Sequence, residues 1–326
     1  MINRVHRVFV PLILALLASV VLIGAPQAAL DAAERQRVIQ AIIANLKQHY
    51  VYPDRAQNAA DALLAHDKSG DYRGAADRAA LAGLLTRDLR AATKDNHLEV
   101  VYIPAVRRQP LPGNGGSTPR PGQPASPAYC TFEPVRMLQS NIGYFKLNSF
   151  PDVSACQAAA TAAMAALNGA DALVFDLRDN RGGFPNMVML IASYLFDHPV
   201  YMYNPREETT LQSWTRSPVP GSRLSDKPVV ILTSSTTYSG AEHFSYDLKM
   251  LKRATLVGER TAGATDIASF YRIIDDFGMG IPTTRPINPY SEPDWAAVGV
   301  EPDIKVKAAD ALASAEKLLQ QKLKSK

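Results

Sequence analysis

Residues 229–244 read Val-Val-Ile-Leu-Thr-Ser-Ser-Thr-Thr-Tyr-Ser-Gly-Ala-Glu-His-Phe. The apolar start has the length and β-branched composition of a buried strand, and the polar residues after it predict a turn. An apolar stripe at helical spacing follows, so Ser239 stands where a strand gives way to a helix. Two interpretations of this serine are open. It is a helix cap paired with Glu242, or it is an exposed nucleophile beside unpaired N–H groups that would hold an oxyanion.

The chain around this stretch alternates between strands and helices. We expect strands at 142–147, 172–177, 229–233 and 254–258, and helices at 154–167, 187–196, 240–251 and 307–323. This alternation predicts an α/β fold, in which crossover helices join the strands of one sheet. Residues 31–95 repeat apolar residues at helical spacing instead, which predicts a small helical bundle ahead of the sheet.

Changes in composition divide the chain into four predicted parts. These are a leader at 1–29, a helical domain at 31–102, a Pro- and Gly-rich linker or loop at 103–134, and an α/β domain at 135–326. The third part is too rich in Pro and Gly to build a core of its own, which is why we interpret it as a connection.

The leader has the order of a secretory signal peptide. Arg4 and Arg7 precede an apolar run at 8–23, and small residues follow up to position 29. That order predicts a cleaved signal peptide, with the rest of the chain in the periplasm or secreted. The alternative is an uncleaved inner-membrane anchor with the chain facing the periplasm, because the apolar run is only slightly short of a span of about 20 residues.

The composition is that of an ordinary globular protein. Of the 326 residues, 47% are hydrophobic and 20% are charged, and the formal net charge is +4. A charge this small, without a clustered basic face, argues against a nucleic-acid partner. The sequence has no metal-binding spacing of His and Cys and no phosphate loop, so we expect no metal and no cofactor. Cys130 and Cys156 would pair in an oxidising compartment or stay as buried thiols.

Residues 173–184 read Leu-Val-Phe-Asp-Leu-Arg-Asp-Asn-Arg-Gly-Gly-Phe and form a second polar turn after a buried strand. Gly182 and Gly183 would let the backbone approach a reacting carbonyl closely, and their N–H groups would supply half of an oxyanion hole. The alternative is a tight turn that requires glycine, with Asp176 and Arg178 as a buried ion pair.

A serine nucleophile also needs a base. The histidines beyond the leader are His49, His66, His97, His198 and His243. Of these, His97 has a distinguishing context, because a helix there gives way to a strand and the side chain can project toward a neighbouring domain. A lone histidine is more often structural than catalytic. If His97 is not the base, His243 and Glu242 are the next candidates.

Several segments together resemble the S41 peptidase family, on the branch of the interphotoreceptor retinoid-binding protein and the tricorn core. Residues 176–183 resemble the family's D-x-R-x-N-x-G-G loop, and residues 233–242 resemble its T-S-x-x-T-x-S-A-A-E serine turn. Residues 253–263 resemble the strand and loop that follow this turn, and residues 298–303 resemble the terminal G-V-x-P-D signature. Residues 96–98 resemble the segment in which the branch has its histidine. The resemblance covers most of residues 35–320, and five segments in the same chain order make it specific.

The resemblance implies a crotonase- or ClpP-like catalytic domain preceded by a helical domain. It also implies a serine-type peptidase in which Ser239 attacks a peptide carbonyl and His97 takes its proton. Backbone N–H groups of Gly240 and of Gly182 or Gly183 would hold the oxyanion. The implied substrates are peptides or protein C-termini, and the favoured interpretation of Ser239 becomes a nucleophile.

Two departures from the family pattern limit the mechanism and the mode of substrate capture. The tail-specific subtype uses a Ser–Lys pair, and its lysine position falls on Ala264, so a mechanism through a lysine there is excluded. The stretch 103–135 is too short for the PDZ domain of that subtype. Capture of substrate C-termini by such a module is therefore not expected.

A third departure concerns the acid that would orient the histidine. The histidine-using branch commonly places Glu after its Trp, where this chain has Ala296, and the family's Ser beside the histidine is Asn96. Glu292 or Asp294 would be a substitute acid. Loss of the orienting acid costs a triad enzyme several powers of ten in rate. The alternative function is therefore a weak or inactive protein of this fold that binds a ligand in the cell envelope.

Overall fold

The computed structural model describes residues 31–103, 130, 132–204, 212–274, 276–290 and 295–325. The predicted leader at 1–29, the candidate acids Glu292 and Asp294, and most of the predicted linker at 103–134 lie outside these residues. Within the described ranges, none of the helices combines the length and the apolar character that crossing a membrane requires.

Three helices form the predicted bundle. They are α1 (Ala32–His49), α2 (Pro53–Ser69) and α3 (Arg78–Thr93). The side chains of Asp31 and Asp77 accept hydrogen bonds from backbone N–H groups in the first turns of α1 and α3, which satisfies donors that a helix start leaves open. Gly70, with φ +90°, ends α2 in the left-handed conformation. The apolar stripes of the three helices are buried against one another.

A small antiparallel sheet, which was not predicted from the sequence, covers this bundle. Its strands are β1 (Glu99–Tyr102), β9 (Ile267–Ile274) and β10 (Phe277–Thr284), in the order β1-β10-β9. Phe277, Met279 and Ile281 alternate along β10 and are buried in the core of the bundle. A hairpin from the C-terminal half of the chain thus completes the helical core and lies beside the turn that carries His97.

The main sheet has six strands. They are β2 (Arg136–Leu138), β3 (Ile142–Lys146), β4 (Ala172–Asp176), β7 (Val229–Thr233), β8 (Thr255–Gly258) and β11 (Ile304–Lys305). Their order is β11-β8-β7-β4-β3-β2, and β2 runs antiparallel to β3 while the other neighbours run parallel. Two short strands, β5 (Tyr201–Tyr203) and β6 (Ser213–Trp214), form a separate antiparallel ribbon.

Helices cover both faces of the main sheet. On one face lie α4 (Val153–Ala166), α5 (Pro185–Ser193) and α6 (Gly240–Met250), and on the other lies α7 (Ala311–Lys324). Side chains alternate along β4, so Leu173 and Phe175 pack on the first face while Ala172 and Val174 pack with α7. Burial on both faces explains why these strands read as continuous apolar runs. The predicted α/β class with helices ahead of the sheet is confirmed.

The two cysteines form a disulfide bond. Cys130 and Cys156 have Cα atoms 5.6 Å apart, and the bond joins the segment before β2 to the first turn of α4. Their pairing could not be predicted from the sequence, because spacing along the chain does not fix the distance between two side chains.

Candidate active site

Ser239 lies at the turn between β7 and α6, at the carboxyl edge of the main sheet. Its backbone has φ +52° and ψ −117°, a conformation that costs a non-glycine residue about 1–3 kcal/mol. Neighbouring hydrogen bonds fix the turn: the Thr237 hydroxyl donates to the Leu177 carbonyl at 2.8 Å, and the Tyr238 N–H donates to the Asn180 carbonyl at 3.1 Å. Such a strained strand-to-helix turn presents a serine hydroxyl at the top of a sheet, as nucleophile elbows do.

The carboxylate of Glu242 holds this turn from behind. It accepts backbone N–H groups from Ser239 at 2.9 Å, from Gly263 at 2.7 Å and from Ala264 at 2.8 Å, together with the Thr261 hydroxyl. Burial raises the pKa of Glu242, and these hydrogen bonds oppose the rise. The cap interpretation is therefore right: Ser239 is the N-cap of α6 and forms a capping box with Glu242, whose acceptor sites are occupied by structural donors. A cap and a nucleophile are compatible roles, because a serine hydroxyl that accepts a backbone N–H keeps its own proton as a donor.

We expect Glu242→Gln to lower the free energy of unfolding by about 1–3 kcal/mol, because an amide turns an acceptor oxygen into a donor facing buried N–H groups. Urea unfolding at neutral pH measures the change. The matched control is Glu259→Gln, whose carboxylate accepts the N–H groups of Ala308 and Ser235 near the surface and should lose less than about 1 kcal/mol. Equal losses in the two variants would contradict a special role for the Glu242 network.

The loop after β4 supplies the other wall of the site. Asp176 is fully buried and forms an ion pair with Arg178, whose Nη2 lies 2.6 Å from Oδ2, and the Tyr144 hydroxyl donates to the same oxygen. Burial alone would raise the pKa of Asp176, but the hydrogen bonds from Arg178 and Tyr144 hold it below its usual value. Arg178 also donates to the Ala308 carbonyl at 2.7 Å. The predicted ion pair is present, with its carboxylate buried and its guanidinium half-buried, and it anchors the loop.

The two glycines of this loop have different roles. Gly182 (φ +91°) donates its N–H to Asn180 Oδ1 at 2.7 Å, so that donor is already engaged. Gly183 (φ +136°) has an N–H with no acceptor among the described residues. A Cβ on Gly240 would lie 3.2 Å from the Gly183 nitrogen, so the backbones of Gly183 and Gly240 pass close together. Of the two glycines predicted for the oxyanion hole, Gly183 is the one whose N–H is available.

His97 lies between the end of α3 and the start of β1. Its side chain is only 9% exposed, and Nδ1 is 3.2 Å from Asp95 Oδ1. The His97 backbone N–H donates to the same oxygen at 2.9 Å. The other ring nitrogen, Nε2, is buried and has no hydrogen-bond partner among the described residues. The ring of Tyr238 lies 5.0 Å from the imidazole, so His97 packs directly against the residue that precedes Ser239.

Asp95 is the residue of this site that sequence analysis missed. It is 7% exposed, and its Oδ2 accepts the Tyr50 hydroxyl at 2.8 Å. Burial alone would raise the pKa of Asp95, but hydrogen bonds from His97 and Tyr50 hold it below its usual value. The signal was an acid two residues before the candidate histidine, a spacing at which an Asp side chain can reach the backbone N–H of a turn.

Ser239 and His97 line one cavity of about 390 Å³. The side chains of Phe184, Pro185 and Ile267 give it an apolar wall. A second cavity, of about 300 Å³, has Asn96, His97 and Tyr238 in common with the first. The structure thus brings together a strained serine, an imidazole with an open nitrogen and two adjacent backbone donors, which is the set of groups that acyl transfer requires.

The remaining candidate residues fall outside this set. His243 lines the same cavity, but its Nε2 is 2.8 Å from the carbonyl oxygen of Thr265, a partner to which only a protonated nitrogen can donate. Glu242 is engaged as described above. Within the described ranges, no group of three or more His, Cys, Asp or Glu side chains is arranged to hold a metal ion.

Comparison with known proteins finds relatives in sequence and in fold. The carboxyl-terminal-processing protease of Synechocystis is 29% identical over 178 residues, which are 55% of this chain and 40% of that protein. The solved structure of a lipoprotein from Streptococcus agalactiae has a TM-score of 0.58 at 15% identity, covering 88% of this chain and 96% of that one. A photosystem II D1 C-terminal processing protease has a TM-score of 0.50 at 19% identity, covering 85% and 94%. These two structures show a shared fold.

The chain spans less than half the length of the curated relative that it matches in sequence. The model for the N-terminal domain of peptidase S41 in eukaryotic IRBP matches residues 30–131. The model described as peptidase family S41 matches residues 141–306, half of the chain, and includes both the glycine loop and the serine turn. The chain therefore belongs to peptidase family S41.

Proposed function

We propose that the protein is a serine-type peptidase that works through an acyl-enzyme on Ser239, with His97 as general base. One observation carries the proposal. A serine in a strained strand-to-helix turn and a buried imidazole with an unpartnered Nε2 come from distant parts of the chain and line the same cavity. An N-cap residue ordinarily has an extended backbone, which Ser239 does not have, and a buried histidine ordinarily has partners for both ring nitrogens.

The proposed reaction has two halves. In the first, His97 Nε2 takes the proton of the Ser239 hydroxyl as the oxygen bonds to the peptide carbonyl carbon. The oxyanion that forms is stabilised by the N–H groups of Gly183 and Gly240. The imidazolium then gives its proton to the leaving amine as the C–N bond breaks. In the second half, His97 takes a proton from water as the water oxygen bonds to the acyl carbon. The bond between that carbon and Ser239 Oγ then breaks, the imidazolium returns its proton to Oγ, and the acid product leaves.

The proposed substrates are peptides or the C-termini of proteins. The names of the relatives, which include a carboxyl-terminal-processing protease, support this class. The apolar wall of Phe184, Pro185 and Ile267 is suited to an uncharged side chain near the cleaved bond. Because Ala264 occupies the position of the lysine in the Ser–Lys subtype, the imidazole is the base that we propose.

We further propose that the protein acts outside the cytoplasm, in the periplasm or as a secreted protein. The signal-like order of residues 1–29 supports export, and an uncleaved segment would anchor the chain with its site facing the periplasm. The disulfide between Cys130 and Cys156 also supports an oxidising compartment.

Labelling with a fluorophosphonate probe tests the proposal, since such probes phosphonylate activated serines. We expect the wild type to label, Ser239→Ala not to label, and the wild type alone of this pair to cleave unstructured peptides. Ser235→Ala is the matched control, because Ser235 lies exposed in the same turn and should label at the wild-type rate. If neither the wild type nor Ser239→Ala labels, the peptidase proposal falls and a ligand-binding protein of the cell envelope takes its place. Equal labelling of both proteins would move the nucleophile to another residue.

A further inference from the structure

We infer that Asp95 is the acid that positions His97, so that the base and its acid both come from the helical half of the molecule. The inference rests on the proposed function and adds to it a residue that the family resemblance does not supply. An imidazole base needs a partner that fixes its tautomer and stabilises its charged form. The position at which the resemblance would place that acid is Ala296, which has no carboxylate.

The contacts of Asp95 fix the orientation of the imidazole. One carboxylate oxygen lies 3.2 Å from His97 Nδ1 and also accepts the His97 backbone N–H at 2.9 Å. A carboxylate accepts hydrogen bonds, so the proton of the neutral ring belongs on Nδ1. The lone pair is then on Nε2, the nitrogen that has no partner among the described residues. This is the tautomer that can take a proton from Ser239.

The surroundings of Asp95 favour its charged form. The second oxygen accepts the Tyr50 hydroxyl at 2.8 Å, and Thr93 Oγ1 accepts the Asp95 backbone N–H at 3.2 Å, so the side chain and its backbone are both held. Burial and the nearby Asp95 charge raise the pKa of Tyr50, which therefore remains a neutral donor. A buried carboxylate kept ionised beside an imidazole is suited to stabilise the imidazolium that forms during proton transfer.

The lining of the second cavity shows which other groups lie near His97, and among the described residues none of them replaces Asp95 as its acid. Ala264 and Ala296, the positions of the family's lysine and glutamate, both line this cavity, and neither has a titratable side chain. The charged or titratable groups that line it with Asp95 and His97 are Tyr52, Arg55, Lys94, Tyr238 and Asp266. Asp266 Oδ1 accepts a hydrogen bond from the Tyr52 hydroxyl at 3.0 Å. Burial raises the pKa of Asp266, and the nearby charge of Asp95 raises it further. Within the described part of the chain, Asp95 is the carboxylate that contacts His97.

The test is Asp95→Asn, read by the rate of fluorophosphonate labelling at Ser239 as a function of pH. We expect the rate at neutral pH to fall about a hundredfold to ten-thousandfold, because the amide can donate to Nδ1 and select the wrong tautomer. The dependence of the labelling rate on pH should also differ from that of the wild type, because the variant has no carboxylate charge beside the imidazole. Asp95→Glu keeps the charge and should label faster than Asp95→Asn.

The matched control is Asp88→Asn. Asp88 is 5% exposed, lies on α3 and accepts the Tyr72 hydroxyl at 2.9 Å, as Asp95 accepts that of Tyr50, but it has no contact with His97. If Asp95 were merely structural, Asp95→Asn and Asp88→Asn would behave alike, and the folded fraction of each would show the wild-type dependence of labelling rate on pH. We expect a wild-type profile in Asp88→Asn alone.

A second measurement does not depend on the folding of a variant. Histidine-selective ¹⁵N NMR of the wild type at a pH where the ring is neutral should report His97 protonated at Nδ1 and bare at Nε2. A proton on Nε2, or an Asp95→Asn protein that labels with the wild-type rate and profile, would overturn the role of Asp95. Either result would leave the peptidase proposal standing as long as Ser239→Ala fails to label, whereas a wild type that does not label would end the peptidase proposal itself.

Discussion

Replacing His97 with alanine is expected to slow labelling of Ser239 at neutral pH by about a hundredfold to ten-thousandfold. The serine hydroxyl is a weak nucleophile without a base, and His97 Nε2 is the buried, unpartnered nitrogen on the cavity that Ser239 lines. Stopped-flow or gel-based labelling with a fluorophosphonate, followed from pH 5 to pH 9, measures the effect. The rate of the variant should also lose the rise with pH that deprotonation of an imidazole gives.

The chain offers a matched control for this variant. His66 also forms an Asp–His pair in the helical half, with Nδ1 2.6 Å from Asp71 Oδ2, but both partners are at the surface. His66→Ala should therefore label like the wild type. If His97→Ala labels at the wild-type rate as well, the base is another residue, and His243, which lines the same cavity, would be the next to test.

The second large effect is expected from Gly183→Ala. The Cβ of an alanine at position 183 would lie 2.1 Å from the Phe150 carbonyl oxygen. The backbone φ of Gly183 is also +136°, a value that residues with a side chain rarely adopt. The loop would have to move, and with it the N–H that we assign to the oxyanion. We expect a loss of about 3 kcal/mol or more in the free energy of unfolding, together with loss of labelling in any protein that still folds. Urea unfolding and the probe assay measure the two effects.

Gly169→Ala separates this effect from the general cost of replacing a glycine. Gly169 lies in the turn between α4 and β4, where a Cβ would meet nothing within 4 Å. The free energy of unfolding of Gly169→Ala should stay within about 1 kcal/mol of the wild-type value, and labelling of Ser239 should be unchanged. A Gly183→Ala protein that is as stable and as reactive as Gly169→Ala would contradict both the packing and the proposed oxyanion hole.

The strands and helices of the α/β part were predictable because their signals are local. A short apolar run predicted the strand at Val229–Thr233, and an apolar stripe at helical spacing predicted the helix that begins at Gly240. The structure has both elements within a residue of the predicted bounds. The hairpin of β9 and β10 was missed for the opposite reason. Its strand β10 contains Gly278, Gly280 and Pro282, which are poor strand formers, and its partner β1 lies far away in the sequence. Pairing between distant segments leaves no periodic signal in either one.

The candidate site divides in a similar way. Ser239 and the glycine loop follow predicted strands, so their meeting at one edge of the sheet could be inferred from the fold. The choice between Gly182 and Gly183 could not, because it depends on where the Asn180 amide oxygen points. Asp95 was missed because an Asp just after a helix is typical of a turn. The role that we infer for Asp95 depends on contacts with Tyr50 and His97 that form only in the folded protein.

A crystal structure of the protein after reaction with a fluorophosphonate would test the central claim most directly. It would locate the phosphonyl group, its oxygen and the imidazole in one experiment. We predict a covalent bond to Ser239 Oγ, a phosphonyl oxygen about 2.7–3.1 Å from the nitrogens of Gly183 and Gly240, and His97 Nε2 facing the adduct. An adduct on another residue, or an oxygen turned away from both backbone donors with His97 out of reach, would contradict the account.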